Sequence, residues 1–217
     1  NVIASFTGCA GQRCMAAAAM IAVGNTEDIV NRICEEARKM VPGKDIGAVI
    51  SQAALQRIEN YIAQAEQQGA KIRVDGRGVK IPGRENGYYV GPTVIDQVTP
   101  DMAIAKEEVF GPVLAIMRTE SLKEAIRIEN ANPYGNAAAV FTQNGGAARE
   151  VMNLAGAGMI GVNVGVPVPR EPFSFGGWNE SKFGALDITG KSSIEFWTQL
   201  KKITTKWNAQ AGNNWMS

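Results

Sequence analysis

Short apolar runs alternate with helix-like segments along most of this chain. The runs KIRVDG, PTVIDQV, VLAIMRT, AAAVFT and MIGVNVG are typical of buried strands. The segments between several of them carry apolar residues at helical spacing. Because parallel strands are joined by crossovers that are usually helices, the pattern predicts an α/β domain with a largely parallel sheet covered on both faces.

Four segments have the features of helices. The first is capped by Asn25 and Thr26 and ends at Pro42, and the third opens with the capping-box pattern SLKE at Ser121. The predicted helices span residues 25–41, 51–68, 121–130 and about 146–154. The small and aliphatic residues from Ala16 to Val23 fit either a helix or a buried strand.

The last fifth of the chain has a different composition. Residues 166–190 mix prolines, glycines and aromatics, which suits a loop that lines a site. Residues 193–207, SIEFWTQLKKITTKW, are rich in β-formers and lack a nearby hairpin partner. We therefore expect a strand here that pairs with another domain or another subunit, and we divide the chain into a domain at 1–192 and an interaction strand with its tail at 193–217.

Composition narrows the possible functions. Twenty-two basic and 21 acidic residues give a net charge of +1, which disfavours nucleic acid and anionic membranes as partners. Three cysteines are too few for a disulfide scaffold, so free thiols and a reducing compartment are expected. The absence of histidine excludes Cys-His and Ser-His-Asp catalysis within this chain, and no metal site is predicted.

Cys14, in the segment GCAGQRCMAAAAM, is the candidate nucleophile. A thiolate attacks carbonyl carbon when nearby positive charge or backbone N–H groups lower its pKa, and Arg13 supplies such a charge. Gly11 would allow the backbone to approach a substrate closely. On composition alone, a buried cysteine in a small-residue interface remains the alternative. Cys34 is expected to be a small buried residue, and Cys9 is expected to be structural or a bystander.

Several motifs resemble those of the aldehyde dehydrogenase superfamily. GQRCMA, GYYVGPTVI, KEEVFGPVLAI, NPYGNAAAVFT and the late FGG occur in that family's order across essentially the whole chain. PVPREPFSF followed by TGKSSIEFWTQLKKITTKW is most similar to the methylmalonate-semialdehyde dehydrogenase branch, which is acylating and coenzyme A-dependent. The late motif departs from the Lys-x-Ser-Gly of many members and contains NESKFG, which favours a specialised branch.

The resemblance implies a role for each motif residue. Cys14 would be the nucleophile, and its backbone N–H would form half of an oxyanion hole. Glu108 would bind the nicotinamide ribose of NAD, and Phe110 would lie against the nicotinamide. The remaining implied residues bind substrate: Arg13 would hold an anionic group of the aldehyde, and Phe173 and Phe175 would line the aldehyde pocket.

The expected function is NAD-dependent oxidation of an acidic semialdehyde through a Cys14 thioester, with acyl transfer to coenzyme A and decarboxylation. The family's NAD-binding domain and general-base position precede the nucleophile and are not in this chain, so the chain alone is predicted to be inactive and to need that domain as its partner. We also expect a homo-oligomer, a tetramer by resemblance, and a cytoplasmic location, with the mitochondrial matrix open. The alternatives are a hydrolytic dehydrogenase that releases a free acid, or a non-catalytic assembly module of the same fold.

Overall fold

The computed structural model describes residues 1–207, and residues 208–217, the end of the predicted tail, lie outside the described part. The helices are α1 (Val2–Thr7), α2 (Glu27–Lys39), α3 (Gln52–Gln67), α4 (Ala103–Lys106), α5 (Leu122–Asn130), α6 (Gly145–Leu154) and α7 (Ser193–Trp197). The strands are β1 (Ala19–Val23), β2 (Lys71–Val74), β3 (Thr93–Asp96), β4 (Val113–Thr119), β5 (Tyr134–Gly135), β6 (Ala137–Val140), β7 (Met159–Val162) and β8 (Trp178–Asn179).

The main sheet has the strand order β1-β4-β3-β2. Strand β4 pairs in parallel with both β1 and β3, whereas the edge strand β2 is antiparallel to β3. The segment between β2 and β3 contains no helix, and without a helical crossover the chain returns in the opposite direction. The predicted largely parallel α/β sheet is therefore confirmed, and the ambiguous segment before Gly24 ends in a strand.

Both faces of this sheet are covered. Along β4, Val113, Ala115 and Met117 belong to one buried cluster, which includes the apolar face of α3. Leu114 and Ile116 belong to a second cluster, with α1 and α2. Since successive side chains of a strand point to opposite faces, the continuous apolar run VLAIMRT buries residues on both sides.

The predicted helices form close to their expected bounds. The hydroxyl of Ser51 accepts a hydrogen bond from the N–H of Ala54 at 3.1 Å, and that of Ser121 accepts one from Glu124 at 3.2 Å. Each hydroxyl satisfies one of the N–H groups that a helix start leaves without an intrahelical partner. Cys34 is buried in α2, as predicted.

The second half of the chain adds two smaller sheets. Strands β6 and β7 pair in parallel, and β5 and β8 pair in antiparallel fashion. Helices α5 and α6 pack with β6 and β7 around a small cluster that includes Ile126 and Val151. This arrangement places the residues just before β6 beside the segment that leads into β8.

The predicted C-terminal strand does not form in this chain. Residues Ser193–Trp197 are the short helix α7, and residues 198–207 contain no strand. A strand requires a partner for its N–H and C=O groups, and residues 1–207 provide none here. Several large apolar side chains of the segment are exposed: Ile194, Trp197, Leu200, Ile203 and Trp207.

A buried charge cluster joins three strands of the main sheet to α2. Asp96 is 1% exposed and accepts two hydrogen bonds from Arg118, at 2.7 and 2.8 Å, and one from Arg73 at 3.0 Å. Glu27 of α2 pairs with both arginines. Burial raises the pKa of Asp96, but hydrogen bonds from Arg118, the Gln97 N–H and Arg73 outweigh burial and leave this pKa below its ordinary value.

Candidate active site

Cys14 lies in a turn that follows α1. The backbone of Cys9 and Ala10 is left-handed, with φ of 55° at both residues, and the chain then turns again where the N–H of Ala16 donates to the carbonyl of Arg13 at 3.1 Å. Cys14 occupies the second position of that turn, and its side chain is exposed. The thiol is therefore open to a substrate rather than buried in a packing interface.

Two glycines bring the Cys14 and Glu108 motifs together. Gly11 has a φ of +70°, and a Cβ at this position would overlap the carbonyl of Gly111. The backbones of GQRC and EVFGP are therefore in direct contact, which only glycine permits at this position. The contact explains how two motifs nearly 100 residues apart in the sequence meet at one site.

Arg13 points inward along the end of α1. Its Nη2 donates hydrogen bonds to the carbonyls of Ala4 and Ser5, each at 2.8 Å, and the Ala4 carbonyl also accepts the N–H of Gly8. The guanidinium also lies over Gly8, where a Cβ would be 2.7 Å from Cζ. Among residues 1–207, Nε of Arg13 is buried without a hydrogen-bond partner. Both hydrogens of Nη2 are thus engaged and Nε is shielded from solvent, so Nη1 is the nitrogen left to bind a ligand.

Arg13, Glu108 and Phe110 line one small pocket of about 20 Å³. This volume holds about one water molecule, whereas ligand pockets are usually about 300 Å³ or larger. Glu108 is exposed, Phe110 is half-buried, and Phe110 has a φ of +53°, a strained conformation for a bulky residue. A carboxylate acceptor and an open aromatic face fit a nucleotide ribose and ring, but the remaining walls of such a site must come from elsewhere.

The neighbouring Glu107 points to a separate groove between α3 and α4. The groove has a volume of about 640 Å³, is open to solvent, and is lined by polar side chains that include Arg57 and Tyr61. Adjacent glutamates therefore serve two different surfaces, and the one predicted from the sequence, Glu108, is the one beside Arg13.

Phe173 and Phe175 are farther from this arrangement. Phe173 is 72% exposed, and Phe175 is half-buried, with its N–H donating to the hydroxyl of Thr189 at 2.9 Å. Neither ring lines the pocket beside Arg13. Their loop approaches the Cys14 turn through Gly177, where a Cβ would lie 2.9 Å from Cα of Asn136.

Asn136 is a residue of the site that sequence reasoning missed. Its Nδ2 donates to the carbonyl of Cys14 at 2.7 Å and to the sulfur of Met15 at 3.4 Å. The N–H of Cys14 has no hydrogen-bond partner within the described residues. The motif NPYGNAAAVFT contained Asn136, but a single asparagine before a strand carries no signal that it reaches a residue 122 positions away.

Residues 1–207 contain neither a membrane-spanning helix nor a cluster of metal ligands. No helix among them combines the length and the apolar character that crossing a bilayer requires. In the same part of the chain, no three His, Cys, Asp or Glu residues are grouped so that they could hold a metal ion.

Comparisons with known proteins agree with these motifs. The human methylmalonate-semialdehyde/malonate-semialdehyde dehydrogenase [acylating], mitochondrial, is 44% identical over 216 residues, which cover 97% of this chain and 40% of that protein. The crystal structure of methylmalonate-semialdehyde dehydrogenase from Oceanimonas doudoroffii superposes with a TM-score of 0.91 at 39% identity, covering 96% of this chain and 44% of that one.

An NAD⁺ complex of aldehyde dehydrogenase from Bacillus cereus is also similar, with a TM-score of 0.82 at 30% identity over 92% of this chain and 41% of that one. The chain thus spans about 40% of the length of the human relative. The model of the aldehyde dehydrogenase family matches residues 1–203. This chain therefore belongs to the aldehyde dehydrogenase family.

Proposed function

We propose that the chain supplies the nucleophile-bearing part of an NAD-dependent, coenzyme A-acylating methylmalonate/malonate-semialdehyde dehydrogenase. Residues 1–192 would be the catalytic domain and residues 193–217 the interaction segment. The observation that carries the proposal is the exposed Cys14 thiol, which directly follows Arg13 in the chain. Arg13 in turn lines one pocket with Glu108 and Phe110. The reaction is the one named for the human relative.

Cys14 performs the covalent step. Its thiolate sulfur bonds to the aldehyde carbon, and the carbonyl electron pair moves onto oxygen. The free N–H of Cys14 donates to that oxygen, and such a donor is worth about 3 kcal/mol of barrier. Loss of hydride from the same carbon restores the C=O bond and leaves a thioester on Cys14, for which bound NAD supplies the hydride acceptor.

Arg13 selects an acidic aldehyde. The bonds from Nη2 to the end of α1 fix the guanidinium, so little side-chain entropy is lost when its remaining N–H groups bind a carboxylate. Nη1 is the donor left for one carboxylate oxygen, and the permanent positive charge of the guanidinium favours an anionic group. Glu108 and Phe110 would hold the nicotinamide end of NAD, and Phe173 and Phe175 the aldehyde side.

Acyl transfer completes the reaction. The thiol of coenzyme A attacks the thioester carbonyl, displaces the Cys14 sulfur, and carries away the acyl group. In the decarboxylation, the bond from the α-carbon to the carboxylate breaks and CO₂ leaves. The electron pair stays on the α-carbon, conjugated with the thioester carbonyl, and takes up a proton, so the product is propionyl- or acetyl-coenzyme A.

A hydrolytic ending would instead need a base to activate water. The relatives are named as acylating enzymes, which favours coenzyme A as the acyl acceptor. They are also named as mitochondrial, so we propose the mitochondrial matrix as a location alongside the cytoplasm.

The test uses the full-length parent enzyme with methylmalonate semialdehyde and NAD. We expect NADH and propionyl-coenzyme A to form together, with little turnover when coenzyme A is omitted. Equal turnover without coenzyme A would reject acylation in favour of hydrolysis. Cys14→Ser should remove turnover, whereas Cys9→Ser, a change at the neighbouring exposed thiol, should retain it. Unchanged turnover in Cys14→Ser would instead support a non-catalytic assembly module.

The exposed apolar side chains of residues 194–207 support a homo-oligomer, because large apolar groups of this kind are usually covered by a partner. Sedimentation of the parent enzyme should show an oligomer that Leu200→Asp weakens. A parent that remains monomeric at all concentrations would reject this part of the proposal.

A further inference from the structure

The peptide unit between Cys14 and Met15 is the central one of a four-residue turn. The turn is closed by the bond from the N–H of Ala16 to the carbonyl of Arg13. The N–H groups of Cys14 and Met15 have no partners within residues 1–207. The central peptide of a turn is the one whose rotation converts one turn type into another. Only contacts from outside the turn can hold it in one orientation.

Asn136 provides such contacts. Its amide nitrogen has two hydrogens and donates to the carbonyl of this peptide, that of Cys14, at 2.7 Å and to the side-chain sulfur of the buried Met15 at 3.4 Å. We propose that Asn136 is a positioning residue that fixes the Cys14–Met15 peptide and so the direction of the Cys14 thiol and N–H. This inference rests on the proposed role of Cys14.

Asn136 can fix the Cys14–Met15 peptide because the backbone of Asn136 is itself fixed by its surroundings. It sits between β5 and β6, each of which is paired with another strand. On its other side Gly177 packs closely, since a Cβ there would be 2.9 Å from Cα of Asn136 and 3.1 Å from its Oδ1. The turn that bears the nucleophile is thus tied to the strands and to the Phe173–Gly177 loop through Asn136, in addition to the anchor of Arg13 on α1.

Asn136→Asp tests the hydrogen bond from Asn136 to the Cys14 carbonyl with almost no change in side-chain shape. The carboxylate cannot donate, and its charge faces the Cys14 carbonyl, so the peptide should be released. Asn130→Asp is the matched control, because Asn130 makes the same kind of bond, from Nδ2 to the Leu154 carbonyl at 2.9 Å, away from Cys14. Both variants should have similar melting temperatures.

The first readout is ¹⁵N relaxation of the Met15 amide in this chain. We expect an order parameter of about 0.85 in the unsubstituted chain and in Asn130→Asp, falling toward about 0.6 in Asn136→Asp. The second is steady-state kinetics of the full-length enzyme, in which only Asn136→Asp should lower kcat, by about 10- to 100-fold, with KM for NAD unchanged.

An unchanged order parameter, or a lowered one without a fall in kcat, would overturn the inference. If the unsubstituted parent shows no turnover that depends on Cys14, the proposed function fails instead, and the relaxation measurement still decides whether Asn136 holds the turn.

Discussion

The Asp96 cluster and the Cys14 turn differ in how their polar groups are hydrogen-bonded. Asp96 is buried, and its two oxygens accept bonds from Arg118, Arg73 and the N–H of Gln97. Cys14 is exposed, and its N–H has no partner among the described residues. Satisfied buried groups stabilise the fold, whereas groups left open can bind a ligand. The comparison predicts that changes at the two places separate stability from activity.

Cys14→Ala is expected to have the largest effect, and on activity alone. Removing a covalent nucleophile costs roughly 10⁴- to 10⁶-fold in kcat. Because the side chain is exposed, the free energy of unfolding should change by less than about 0.5 kcal/mol. Turnover of the parent enzyme and urea unfolding measure the two quantities. A large loss of stability would mean that the thiol is structural.

Asp96→Ala should produce the reverse pattern. It leaves two arginines beside a vacated buried position, and breaking such a pair costs about 3–5 kcal/mol. Urea unfolding of this chain should show the loss, while the alkylation rate of Cys14 by iodoacetamide in the folded protein stays within about twofold. A change in that rate as large as the change in stability would show that the two regions are coupled.

Arg13→Lys sharpens the comparison, because Arg13 is hydrogen-bonded into the fold through α1 and also lines one pocket with Glu108 and Phe110. A lysine can keep one bond to the end of α1, but its single nitrogen cannot be held on α1 and also present a separate fixed donor as Nη1 of arginine does. We expect KM for methylmalonate semialdehyde to rise about 10-fold or more, equivalent to at least about 1.4 kcal/mol, and KM for propanal to change little. Equal changes in KM for both aldehydes would show that Arg13 stabilises the fold and does not bind the carboxylate of the substrate.

The smallest expected effect is a change in how the free energy of unfolding depends on pH below about pH 5. The pKa of folded Asp96 is below its ordinary value of 3.8, so its contribution to stability is complete above that value and is lost as the pH falls through the lowered pKa. Asp96→Asn should therefore lose less stability than the unsubstituted chain between about pH 5 and pH 2. Parallel pH profiles of the free energy of unfolding would show that the cluster does not carry this charge.

Local patterns in the sequence predicted most of the regular structure. The apolar run 113–119 became β4 with the same bounds, and the serine at 121 caps the predicted helix. These signals work because burial on both faces and a satisfied first turn are decided by nearby residues. Residues 193–197 form the helix α7 instead of the expected strand, and pairing of this segment with another domain or subunit stays a prediction, since strand formation depends on a partner that the segment does not contain.

The candidate site was predicted as separate motifs but not as an arrangement. The pairs Arg13–Cys14 and Glu108–Phe110 were each found within one motif. The contact of Gly11 with Gly111 and the bond from Asn136 to Cys14 involve residues more than 90 positions apart. No period or spacing in a single sequence encodes such contacts.

The sequence by itself determined the α/β alternation and the absence of histidine chemistry, and its motifs singled out Cys14 as the candidate nucleophile. Only the tertiary structure decided that Arg13 is anchored on α1, that Glu108 rather than Glu107 shares its pocket, and that Asn136 holds the Cys14 carbonyl. The physical reason is range. Propensity and side-chain chemistry act over a few residues, whereas hydrogen bonds and close packing between distant segments exist only after the chain has folded.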